Sequence, residues 1–123
     1  MTYSSATHAH SVNPATGETL AAYPWATSGD VERAIVQADI GFRQWRRESV
    51  AHRAQKLRDL GAALRSRAEE MAQTISREMG KPIVQARAEV AKSASLCDWY
   101  AEHGPAMLHP ESTQVENAVI EYR

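Results

Sequence analysis

A single cysteine, Cys97, is all the thiol chemistry the sequence holds. One thiol excludes a disulfide within the chain and fits a reducing compartment. No apolar run approaches the roughly 18 residues of a membrane span. Met1–His10 has neither the basic flank nor the apolar stretch of a signal peptide. Net charge is small, −1 at neutral pH, which argues against a protein that coats nucleic acid. Glycine-rich phosphate cradles are missing, since neither a G-x-G-x-x-G nor a Walker pattern occurs. Internal repeats and low-complexity tracts are absent too. Against these gaps stand 123 residues, 43% apolar and 24% charged. A chain of this size is long enough to bury about two thirds of its unfolded surface. The expectation from composition is one soluble, cytoplasmic unit of domain size.

Local signals divide the chain. Residues 1–10 are expected to be disordered. Asn13-Pro14 starts a turn and Thr16-Gly17 supplies a position for positive φ. The short apolar stretches on either side, Ser11-Val12 and Leu20 to Trp25, predict a small hairpin. Thr27 and Asp30 stand at capping-box spacing. Val31, Ala34, Ile35, Ala38, Phe42 and Trp45 then predict an amphipathic helix over 28–47. From Ser49 the same period continues through Val50, Ala54, Leu57, Leu60, Leu64, Ala68, Met71 and Ile75. Ser66 and Glu69 repeat the capping-box spacing inside that run, which predicts two helices meeting near Ser66. Gly80-Lys81-Pro82 closes the second and opens a last helix, 82–103, striped by Ile83, Ala86, Val90, Ala94, Cys97 and Ala101. Gly104-Pro105 reads as its stop, 105–112 as loop, and Val115–Tyr122 as a strand with no sheet to join. Helix over about three fifths of the chain, against an ordinary third, gives a mostly α fold class with short β strands.

No set of side chains reads as a catalytic, cofactor-binding or metal site. Cys97 lies mid-helix between Ala94 and Ala101, with no cation or base at helical spacing, and reads as a small core residue. His8, His10, His52, His103 and His109 lack the spacing of a zinc site. Residues 43–67 carry a net +6, against −3 before and −4 after. Those cations fill the polar faces of two helices, so they read as a solvated or ion-paired surface. Gly80-Lys81 lacks the upstream glycine and the following Ser or Thr of a Walker loop and reads as a helix stop. Glu69, Glu70, Glu89 and Glu102 show no arrangement that would mark one as an acid or base.

An ordered series of stretches carries a resemblance. It begins with Asn13-Pro14-Ala15-Thr16-Gly17-Glu18, followed by Ala34, Ala38, Phe42 and Trp45. Arg53, Leu57, Leu60 and Leu64 come next, then Arg77-Glu78-Met79-Gly80-Lys81-Pro82. Ala86, Glu89 and Val90 lead to Trp99-Tyr100-Ala101-Glu102. In this order, over residues 11–123, they resemble the N-terminal portion of the NAD(P)-dependent aldehyde dehydrogenase superfamily. Their wording is closest to bacterial succinate-semialdehyde dehydrogenases.

The resemblance implies an incomplete α/β fold. Residues 11–104 would be the strands and helical layer beside the cofactor-binding core, and 113–123 the first strand of the oligomerisation element. Whole family enzymes oxidise an aldehyde to an acid through a thiohemiacetal and hydride transfer to NAD or NADP. Their Pro-Trp-Asn-Phe segment, cofactor lysine, phosphate loop, general-base glutamate and nucleophilic cysteine would all fall beyond Arg123. No catalytic or cofactor residue is therefore carried over to this chain, and Cys97 does not match the family nucleophile. The chain alone is expected to bind no NAD(P) and to be inactive. Its expected partners are the remainder of the dehydrogenase fold or further subunits, with neither nucleic acid nor membrane among them. The alternative is a self-sufficient helical interaction module without catalysis.

Overall fold

A computed structural model describes residues 7–116 and 118–122. The described chain is mostly helical, with two separate antiparallel strand pairs. Strand β1 (His8–Val12) pairs with β2 (Thr19–Pro24), and the register shifts between Ser11 and Val12. The turn between them is set by Asn13. Its side-chain oxygen accepts from the Ala15 amide at 2.9 Å and its carbonyl from Gly17 at 2.8 Å. Gly17 takes the positive φ, 75°, that the sequence anticipates there.

Four helices follow: α1 (Ser28–Trp45), α2 (Val50–Ser66), α3 (Ala68–Met79) and α4 (Ile83–Met107). The Thr27–Asp30 capping box forms in both directions, at 3.2 and 2.9 Å. Ser49 caps α2 through the His52 amide at 3.1 Å. Gly80 ends α3 in the left-handed conformation, φ 66°. There a Cβ would meet Pro14 Cγ at 3.0 Å. Nearby, Ser11 donates to Glu78 at 2.7 Å, so the first hairpin docks on the end of α3. The two turn motifs noted in the sequence, 67 residues apart at Ser11 and Glu78, are one packing contact.

The core lies where α2 and α3 rest on α4. Its buried apolar residues are Ala54, Ala72, Ala86, Val90, Ala94 and Ala101. With one valine as the largest of these, the helices approach closely and bury little apolar area apiece. At the crossing of α2 and α4, Gly61 faces the Ala94 carbonyl, which a Cβ would meet at 3.2 Å. Among the described residues no helix is long and apolar enough to cross a membrane.

Five expectations need correction. Strand β1 starts at His8, inside the segment 1–10 expected to be disordered; Met1–Ala6 lie outside the described residues. Arg67, not Ser66, is the N-cap of α3, and it makes no side-chain cap bond. Ser66 instead donates back to the Ala63 carbonyl at 2.9 Å, so the predicted Ser66–Glu69 box does not form. Helix α4 does not stop at Gly104-Pro105 but runs to Met107, which shortens the loop expected over 105–112. Strand β3 (Glu111–Val115) begins inside that same stretch and pairs with β4 (Ala118–Tyr122). The terminal strand is thus half of a hairpin. Finally, α1 ends at Trp45, short of the residue 47 expected, and none of its residues is buried.

Candidate functional site

Proline inside α4 has a specific compensation. Pro105 has no N–H to offer the carbonyl one turn back, that of Ala101. Ala101 is fully buried, so water does not replace the missing donor. Arg58 reaches across from α2 and donates to that carbonyl at 3.3 Å. The sequence places Arg58 among the basic residues of 43–67 without hinting at this role, because the partners are 43 positions apart. Gly61 is the other contact missed at the same helix pair. Its signal was present, as a glycine inside a strong helical period.

The same helix pair flanks a groove of about 510 Å³. Val50, Ala54, Leu57 and Leu60 of α2 line one side, Tyr100, Gly104, Pro105 and Leu108 the other, and Trp45 closes one end. Arg53 and Lys56 add the only charges to an otherwise largely apolar lining. His52 meets Trp45 edge-on at 6.4 Å, and His103 stacks on Trp99 at 4.6 Å. A second, basic cleft near the end of α1 is formed by Asp39, Phe42, Arg43, Arg46 and Arg47.

Most of the polar surface is tied into pairs. Arg87 grips Glu69 with two bonds, at 2.8 and 2.9 Å. These bonds, helped by Gln73, draw the Glu69 carboxyl down to about 2 from 4.5. Arg67 lowers Glu70 in the same way, and Gln55 with Lys56 lowers Asp59. Of the basic residues in 43–67, Arg43 pairs with Asp39, Lys56 with Asp59, Arg65 with Asp98 and Arg67 with Glu70. The ion-paired surface expected for this stretch is what half of it forms. Lys81 pairs with Glu89, away from any phosphate-binding turn.

The remaining candidates stay apart. Cys97 is half-buried on α4, beside rather than within the fully buried line of Ala94 and Ala101. His8 and His10 lie on β1, with ring centres 6.5 Å apart. Among the described residues no three His, Cys, Asp or Glu side chains converge to hold a metal. Dinucleotide sites use a glycine-rich turn from a parallel strand into a helix. The described strands form only antiparallel pairs.

The layer of alanine-packed helices with its docked hairpin is an architecture found in known proteins. The whole chain, residues 1–123, matches the aldehyde dehydrogenase family model, and the chain belongs to that family. Among its relatives, a succinate semialdehyde dehydrogenase of Escherichia coli (strain K12), named for NAD(P)+, is 67% identical over 125 residues. That match takes in 100% of this chain and 27% of the relative. An NADP(+) succinate-semialdehyde dehydrogenase of Deinococcus radiodurans is 38% identical over 104 residues, 85% of this chain and 22% of the relative. The crystal structure of succinate-semialdehyde dehydrogenase from Burkholderia pseudomallei superposes with a TM-score of 0.79 at 28% identity, over 89% of this chain and 23% of that one. The chain spans about a quarter of the length of the relatives it matches, in their N-terminal portion.

Proposed function

We propose that this chain is the N-terminal segment of an enzyme that oxidises succinate semialdehyde to the acid with NAD or NADP. Within that enzyme it supplies packing and assembly surface in the cytoplasm. The observation that carries this reading is 67% identity to a succinate semialdehyde dehydrogenase over the whole chain. Uncovered apolar surface supports it: Val31, Ile35, Phe42 and Trp45 of α1 are 45–63% exposed, and apolar side chains exposed together on one helix mark a contact surface.

In this reading the hairpin β1–β2 and helices α1–α4 form the layer beside the cofactor-binding core. The β3–β4 hairpin opens the oligomerisation element. NAD(P) chemistry belongs to the rest of such an enzyme, and the 123 residues bind no dinucleotide and turn nothing over alone. Titration of the chain with NAD+ and with NADP+ by calorimetry tests this directly. The expected result is no saturable heat, and saturable micromolar binding would overturn it.

A second reading, a self-sufficient helical interaction module, is favoured by the preformed groove between α2 and α4. The stability of the isolated chain separates the two. A cooperatively unfolding monomer favours the module, whereas self-association or a broad transition favours the segment.

A further inference from the structure

Two uncovered surfaces of the molecule complement each other. On α1, Val31, Ile35 and Phe42 are 48%, 63% and 60% exposed and recur at steps of about one and two helical turns. Glu32 and Asp39, two helical turns apart, border this stripe on one side. Glu32 has no cationic partner among the described residues, and Asp39 pairs only with Arg43, on its own helix. The other surface is the α2–α4 groove, with Ala54 and Leu57 against Tyr100 and Leu108 and with Arg53 and Lys56 on its α2 side. Arg53 is half-buried there and has no carboxylate partner among the described residues. Of α1, only Trp45 lines the groove, so the stripe lies outside the groove of its own chain.

We propose that two copies of this chain associate by exchange of α1, the stripe of each seated in the α2–α4 groove of the other with Glu32 facing Arg53 and Lys56. Each copy carries both the stripe and the groove, so a two-fold axis closes the pair with two identical seats and leaves neither unfilled. Apolar area supplies the attraction, and the acidic edge against the basic edge fixes the direction of the helix. This association rests on the same uncovered α1 face that supports the proposed function; the charge reversals test the seat, whereas nicotinamide reduction by a whole enzyme carrying this segment tests that reading.

The test is sedimentation equilibrium of the 123-residue chain and two charge variants. Arg53→Glu with Lys56→Glu reverses the groove, and Glu32→Lys with Asp39→Lys reverses the stripe. The parent is expected to be a discrete dimer. Each variant alone should dissociate with a Kd raised about tenfold or more, and an equimolar mixture of the two should dimerise again, because both of its seats are then matched. A monomeric parent, an open-ended series of aggregates, or a dimer indifferent to both reversals would each overturn the proposal, as would a mixture that fails to recover. Should a reversal cost helical circular dichroism, a cross-link decides. In a Cys97→Ser background, chains carrying Ile35→Cys and chains carrying Leu60→Cys are expected to form a mixed disulfide on oxidation. Its absence would overturn the seat.

Discussion

Replacing Arg58 by methionine keeps most of the side chain's apolar stem and removes its donors. The Ala101 carbonyl then has neither Arg58 nor, because of Pro105, a main-chain N–H one turn on. A hydrogen bond to a charged group contributes about 1.5–3 kcal/mol. The 3.3 Å separation is slightly longer than the usual range and the contact is only partly buried. The expected cost is therefore at the low end, about 1–1.5 kcal/mol. The decisive assay is a double-mutant cycle with Pro105→Ala, read by urea unfolding at one fixed protein concentration. Alanine at 105 restores the N–H, so Arg58→Met should cost about 1 kcal/mol less in that background. Hydrogen exchange gives a local check, with Leu108, whose amide bonds to Gly104, losing protection in Arg58→Met before Val90 or Ala94 does. Equal costs of Arg58→Met in the two backgrounds would refute the compensation.

Two further outcomes follow from the same packing and charge geometry. Gly61→Ala should destabilise by about 1 kcal/mol, since overpacking against the Ala94 carbonyl at 3.2 Å exceeds the gain in helix propensity. Gly104→Ala, with open space around its Cβ, should stabilise by up to about 1 kcal/mol, and equal signs in urea unfolding would contradict the close helix crossing. Glu69 binds its proton less tightly when folded, at about 2 against 4.5. Its contribution to stability is thus fully present above about pH 4.5 and is lost as pH falls towards 2. Arg87→Gln removes the largest cause of that shift and leaves the Gln73 bond, so carboxyl NMR should find the Glu69 titration moved up towards the ordinary carboxylate range, and an unmoved titration would show that Arg87 is not responsible.

What the sequence made legible was local. The Thr27–Asp30 box, the turn at Asn13–Gly17 and the close of α3 at Gly80 each depend on residues a few positions apart. Contacts between distant segments were not legible. Gly104-Pro105 reads as a stop until Arg58 is seen to occupy the orphaned carbonyl. Val115–Tyr122 reads as one strand after a loop over 105–112, and only the pairing of Glu111–Val115 with Ala118–Tyr122 makes the segment a hairpin. Ser66 and Glu69 had the right spacing for a cap, but Ser66 bonds backward and the chain turns one residue later, at Arg67. The α2–α4 groove was not legible, because its two sides come from segments far apart in the chain.

The proposed function makes these 123 residues the N-terminal segment of a succinate-semialdehyde dehydrogenase. Its most direct test is a chimera in which this chain replaces the matching N-terminal portion of the Escherichia coli relative. The measured quantity is nicotinamide reduction that depends on succinate semialdehyde. A soluble, folded chimera is expected to turn over substrate while the 123-residue chain alone does not. A chimera that folds, binds NAD(P)+ and yet leaves succinate semialdehyde unoxidised would contradict the account.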